Sequence, residues 1–221
     1  MTNHVETTIL SSAEKKSKTL AGISIFGFSL FILIMSAFHF IQPELNPLKR
    51  FGSEYVVGRL GWMMNIAFFF FAGGILSLAF AFNHGLNTDS RSRSGIILFV
   101  IAAIGILGSG IFNTHLQSEQ PTTAGIIHAL SGFVAFLTMI PAMFIISRRL
   151  RLADVLKGKY KVLHYLPWLI ALLFLSMMFV FETLDLVGLG QRLFLVAIFY
   201  WLILAASGLQ TFAFSTGKDT P

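Results

Sequence analysis

Six long apolar stretches fill most of this chain, and no acidic or basic residue falls near the middle of any of them. They run Leu20–Ile41, Leu60–Phe82, Gly95–Phe112, Ala124–Ser147, Leu166–Phe181 and Leu193–Phe214. Crossing the hydrocarbon core of a bilayer takes roughly 20 apolar residues per helix. All six stretches qualify. The fifth in order is the shortest, and its start falls at Leu163 or Leu166. Strands of a membrane barrel would alternate apolar and polar residues over about ten positions, and these stretches do not alternate. The reading is an all-α polytopic membrane protein, a bundle of six transmembrane helices. It divides into an N-terminal arm (1–19), the transmembrane domain (20–214) and a short tail (215–221), with no room for a soluble domain. Charged residues make up only 12% of the 221, about half the share of a soluble domain.

The first apolar run is 22 residues long. A cleavable signal has an apolar core of roughly 7–15 residues followed by a small-residue site. Neither feature is present, so Leu20–Ile41 is expected to remain as the first span.

Orientation follows from the bases. Twelve of the sixteen lysines and arginines fall on one side: Lys15, Lys16, Lys18, Arg91, Arg93, Arg148, Arg149, Arg151, Lys157, Lys159, Lys161 and Lys218. The other side has Lys49, Arg50, Arg59 and Arg192. Basic loops translocate poorly, so the rich side is expected to be cytoplasmic. Both termini then lie inside a cell (inner) membrane, and loops one, three and five lie outside. Tyr160, Tyr165 and Trp168 fit the inner aromatic belt, and Tyr55 and Trp62 the outer one.

Several functions are disfavoured. The net charge of +6 does not point to nucleic acid, because the bases sit at membrane edges. The absence of cysteine rules out thiolate ligands, a cysteine nucleophile and disulfides. Transporters coupled to ions place ionisable groups at mid-depth, and none is found there.

Local signals refine the bundle. Loop one, Gln42–Arg59, is long for a helical connection and is expected to fold back on the bundle mouth, with Leu48–Val57 as a short interfacial helix. Thr122 or Thr123 is a natural cap for the fourth span, and the linker Arg148–Lys161 is basic. Gly73-x-x-x-Ser77, Gly105-x-x-x-Ser109 and Gly125-x-x-x-Ala129 offer small-residue faces for helix contact. Pro141 deletes a hydrogen bond inside the fourth span and should bend it.

Unusual polar residues gather at the outer helix ends. His128 lies about one turn inside the fourth span, where a histidine needs a partner or a wet cavity. Three readings stand: a bond to a backbone carbonyl or a hydroxyl such as Thr123, contact with a ligand, or a metal site. Candidate partners are His39, His115, Glu182 and Asp185. Zinc would take three such ligands, but no H-E-x-x-H or similar spacing exists, so neither a metal nor another cofactor is expected. Glu182-x-x-Asp185 places two carboxylates a turn apart, suited to acid–base work or to pairing with Arg192 and Arg59. Ser53-Glu54 could cap a helix. Asn65 and Trp62 could line a cavity mouth, and Trp201 at mid-depth reads as packing.

The stretches His39-Phe-Ile-Gln-Pro-Glu-Leu-Asn-Pro-Leu-Lys and Ser53-Glu-Tyr-Val-Val-Gly-Arg-Leu-Gly-Trp-Met-Met resemble the DUF998 family of polytopic membrane proteins. So do Pro121-Thr-Thr-Ala-Gly-Ile-Ile-His-Ala-Leu-Ser-Gly and Gly190-Gln-Arg-Leu-Phe. The resemblance covers nearly all of the chain. It implies a six-helix membrane protein and no defined activity, and its motif positions fall on Ser53, Glu54, Gly58, Gly61, Trp62, Thr123, Gly125, His128, Gln191 and Arg192. The family pattern F-P-T-D after the third span is replaced here by Phe112-Asn113-Thr114-His115, which leaves the role of an acidic group there in doubt.

The expected ligand-binding residues are therefore His39, Ser53, Glu54, Arg59, Trp62, His115, Thr123, His128, Glu182, Asp185, Gln191 and Arg192. The favoured function is binding of a lipid or small amphiphile in a polar pocket facing outward. The alternatives are a membrane enzyme acting on a lipid or isoprenoid substrate in the outer leaflet, or a purely structural role. Membrane lipids are the expected partners, nucleic acid is not, and oligomer formation stays open.

Overall fold

A computed structural model describes residues 11–86, 88, 90–150 and 160–211. The arm before Ser11, the tail after Thr211 and most of the basic linker, with Arg151, Lys157 and Lys159, lie outside the described residues, as does the side chain of Tyr160. Six helices are long and apolar enough to cross a membrane. They are α1 (Ser12–Ile41), α2 (Gly61–Gly85), α3 (Arg93–Ile111), α4 (Thr123–Leu150), α5 (Tyr160–Ser176) and α6 (Val187–Thr211). A π-helical stretch, Met177–Phe181, prolongs α5, and a 3₁₀ turn, Gly52–Val57, sits in loop one.

Helix starts reflect local chemistry that hydropathy does not register. The Ser11 hydroxyl accepts the Glu14 N–H at 3.3 Å, and the Glu14 carboxylate accepts the Ser11 N–H. This capping box starts α1 eight residues before the apolar run, so Lys15, Lys16 and Lys18 are helical. Ser92 caps α3 through the Gly95 N–H at 3.2 Å. Thr122 caps α4 through the Gly125 N–H at 3.0 Å. The helix α6 begins six residues ahead of Leu193. Its glycine-rich first turn is helical because it packs against backbone: a Cβ at Gly188 would lie 2.5 Å from the Arg50 and Pro47 carbonyl oxygens. Arg192 is therefore one turn inside α6 rather than at its mouth.

Each helix packs on the next, and α6 returns to α1, closing a ring; α2 also touches α6 across the middle. The loosest seam is between α4 and α5. Aromatic rings fill the centre. Phe31, Phe71 and Phe199 join α1, α2 and α6 with centroids 4.7–5.1 Å apart, and Phe136, Phe174 and Phe194 join α4, α5 and α6. Trp201 is fully buried, its indole N–H donating to the Ser147 hydroxyl and the Leu163 carbonyl.

Small residues act as the bilayer requires, where close packing replaces the hydrophobic effect. Gly105 lies against α4, so that a Cβ there would sit 2.6 Å from the Ser131 carbonyl oxygen. Gly73 departs from expectation: nothing lies within 4 Å of a Cβ built on it. The close approach of α1 and α2 uses the neighbouring Gly74 and Gly27 instead, with a Gly27 Cβ 3.3 Å from the Gly74 Cα. A one-residue step along a helix turns a side chain by about 100°, enough to change faces.

Candidate functional site

The end of the bundle holding loops one, three and five brings together the C-terminal ends of α1, α3 and α5 and the N-terminal ends of α2, α4 and α6. Loop one opens with Asn46 accepting the Leu48 N–H at 3.0 Å and then forms the 3₁₀ turn that carries Glu54. Glu54 is buried. Its carboxylate accepts the Phe51 N–H at 3.1 Å and the Gln117 N–H of loop three at 3.4 Å, with the Arg50 guanidinium 3.6 Å away. The Gln191 side-chain oxygen, on α6, accepts the Gly52 N–H at 2.7 Å. Glu54 thus caps its own turn and ties two loops together, while Ser53 caps nothing.

Below these loops lies a cavity of about 300 Å³. Its polar lining includes Ser53, Glu54, Thr114, His115, Gln117, His128 and Gln191, and its floor is phenylalanine and methionine from α1, α2, α4, α5 and the π-helical stretch, with Ile106 of α3 and Leu195 of α6. Ala129, Phe133 (43% exposed) and Met178 (39% exposed) are exposed residues of the cavity lining. These three lie on α4 and on the π-helical stretch that prolongs α5, at the loose seam between the two helices. Such stretches are frequent at functional sites.

His128 is buried, and its Nδ1 lies 2.8 Å from the Ser109 carbonyl oxygen and 2.9 Å from that of Phe112. Carbonyls only accept, so the Nδ1 proton is donated and Nε2 is left as an acceptor. The Ser109 hydroxyl donates back to the His128 carbonyl at 3.1 Å. His128 therefore satisfies the orphan carbonyls at the end of α3 while its ring lines the cavity. His115 packs on α4 at Gly125, where any Cβ would collide with the imidazole, and the His115 Nδ1 is buried without a hydrogen-bond partner.

A second cluster stands behind the wall formed by Phe31, Met35 and Leu195. Arg192 donates from Nε to His39 Nε2 at 2.9 Å, from Nη1 to the Arg50 and Gly188 carbonyls at 2.9 and 3.0 Å, and from Nη2 to the Tyr55 hydroxyl at 3.1 Å. His39 passes its own Nδ1 proton to the Met35 and Ser36 carbonyls. Tyr55, expected in an interfacial belt, is instead 0% exposed and stacks on Phe38. Its phenol is drawn inward by Arg192, which the apolar α1–α2 interface alone would not reveal. Arg192 and His39 line an apolar groove of about 330 Å³ between α1 and α6.

The remaining candidates are elsewhere. Arg59, Trp62, Thr123 and Glu182 are exposed and line neither space. Asp185 pairs with Lys49 and has a φ of 55°. It occupies the left-handed position that ends α5, where the Leu186 N–H reaches the Phe181 carbonyl at 2.8 Å and the Asp185 N–H that of Glu182 at 3.1 Å. Glu182 and Asp185 thus finish a helix rather than face His128. Among the described residues, no three His, Asp or Glu side chains converge as a metal site. Residues that carry no sequence signal complete the cavity, notably Gln117, whose part is played by its backbone N–H.

A family model described as "Protein of unknown function (DUF998)" matches residues 25–208. No curated protein and no solved structure matches the chain. The chain belongs to the DUF998 family, and the six helices apolar enough to span a bilayer agree with that membership.

Proposed function

We propose that this DUF998 membrane protein binds a lipid or small amphiphile in the cavity beneath loops one and three, and that the ligand enters sideways between α4 and α5. The observation that carries the reading is the combination of a polar roof with exposed lining residues at the α4–α5 seam. Cavities of about 300 Å³ fall at the small end of ligand sites. An apolar floor of phenyl and methionine side chains takes a hydrocarbon segment. The roof presents acceptors, the Glu54 carboxylate and the free Nε2 of His128, so the bound headgroup is a donor, a hydroxyl or an amine. With the base-poor end of the bundle outside, the ligand comes from the outer leaflet.

Among the described residues, no hydrogen bond joins His128 to Glu54, His115 or Glu182. Both Glu54 and His128 are engaged by backbone groups instead, an arrangement that favours binding. Native mass spectrometry of the protein in mild detergent tests it. The wild type should retain a co-purifying amphiphile, and Ala129→Trp, which plugs the seam, should lose it. Empty wild-type protein, or equal occupancy in both, overturns the reading.

A further inference from the structure

We propose that the groove between α1 and α6 holds one acyl chain of a phospholipid whose phosphate is bound by Arg192. This site is separate from the cavity under the loops, with Phe31, Met35 and Leu195 forming the wall between them.

Among the described residues, Glu54 is met by Arg50 and Asp185 by Lys49, whereas Arg192 meets no carboxylate. Its acceptors are a neutral imidazole, a phenol and two backbone carbonyls. That imidazole is neutral because His39 Nε2 accepts from Arg192 while Nδ1 donates to its own helix. None of these groups supplies a negative charge, and a half-buried guanidinium is costly without one. A guanidinium has five N–H groups. Four are used, which leaves one Nη2 donor for a further oxygen. A phosphate oxygen suits that donor, because it brings the negative charge that the weakly hydrated guanidinium otherwise lacks.

The groove faces away from the ring: Val196 is 69% exposed, Tyr200 54%, and Ile32 and Ser36 are also exposed. It reaches from Arg192 along α6 to Ile203, which at about 1.5 Å per residue is roughly 16 Å. That is about half of a hydrocarbon core roughly 30 Å thick, the depth of one leaflet's chain. Arg192 lies five residues into α6, near headgroup depth, and everything deeper in the groove is apolar apart from Ser36 and the Tyr200 hydroxyl. The polar end and the apolar length are in the order that a phospholipid presents them.

The test is native mass spectrometry of full-length protein in mild detergent with added dioleoyl phosphatidylglycerol. Wild type should hold one phospholipid at collision energies that strip all others. Arg192→Gln should lower the retained fraction about tenfold, the size of one lost charge-assisted contact. Because that change also removes four internal hydrogen bonds and so weakens the fold, Val196→Trp is the decisive partner: it fills the groove and leaves every Arg192 bond in place. It should show the same loss, while Ala129→Trp should leave this lipid bound. Undiminished retention in Val196→Trp overturns the proposal. So does a wild-type dimer that Val196→Trp dissociates, since the groove would then be covered by a second copy.

Discussion

The Glu54 carboxylate accepts the Gln117 backbone N–H at 3.4 Å, linking loop one to loop three across the top of the cavity. The same side chain accepts the Phe51 N–H, and Gln191 of α6 holds Gly52 next to it. Loops that would otherwise be solvated strands of chain become a roof fixed at three points. The roof is fixed largely through side chains gripping backbone donors.

Glu54→Ala should therefore loosen both loops together. Two N–H groups lose their acceptor; Gln117 is exposed and Phe51 half-buried, so water can replace part of each bond and the loss is about 0.5–1.5 kcal/mol per bond. Glu54→Gln keeps one oxygen and should cost less. Amide exchange in detergent checks this: Phe51 and Gln117 should exchange faster in Glu54→Ala. If both amides keep their wild-type protection, Glu54 does not hold the roof.

The two glycines Gly105 and Gly73 should part company. A Cβ at Gly105 runs into α4 backbone, which cannot give way as a side chain can, so Gly105→Ala should destabilise by about 1–3 kcal/mol through overpacking. Gly73→Ala meets open space and should be neutral or stabilising by up to about 1 kcal/mol, the helix-propensity gain. Thermal unfolding midpoints in one detergent compare them, and equal midpoints would contradict the packing described.

At Asp185 backbone conformation should outweigh charge. Its φ of 55° is the left-handed region, where a β-branched residue pays roughly 1–2 kcal/mol and glycine nothing. Its ion pair with Lys49 is exposed, and such pairs contribute about 0–1 kcal/mol. Asp185→Gly and Asp185→Asn should hold the wild-type midpoint or raise it, and Asp185→Val should lower it. Lys49→Ala should change little. A Lys49→Ala loss as large as that of Asp185→Val would return the role to charge.

These cases show which parts of the molecule are legible from residue order. The six spans are, because runs of Leu, Ile and Phe uninterrupted by charge leave the chain no other way to satisfy its backbone in lipid. Helix starts are less so, since the Ser11–Glu14 cap and the packing of Gly188 on loop one extend α1 and α6 into polar or glycine-rich sequence. Within the site, His128, Glu54, His115 and Gln191 are legible as unusual polar residues at helix ends, and the structure gathers them around one cavity. A backbone carbonyl is among the partners the sequence leaves open for His128, and the structure has it bonded to two; the particular partners are not legible. His128 bonds to carbonyls that exist only because α3 ends beside it, Arg192 turns to His39 and Tyr55 rather than to the nearer acids Glu182 and Asp185, and Gln117 contributes an N–H common to almost every residue. Tertiary packing decides each of these.

Orientation is the prediction with the widest consequence. Twelve of sixteen bases lie on the side of the termini, and a Lys or Arg near a span end resists translocation. The chain contains no cysteine, so single cysteines report cleanly. Ser118→Cys, exposed in loop three, should react with a membrane-impermeant maleimide on intact cells. Ala13→Cys, exposed at the start of α1, should react only after permeabilisation. The reversed pattern would leave the cavity and the groove intact but move both to the other leaflet, because Glu54, His128 and Arg192 all lie at the loop-one end. The same pair of cysteines thus determines which leaflet's lipids are tested as ligands.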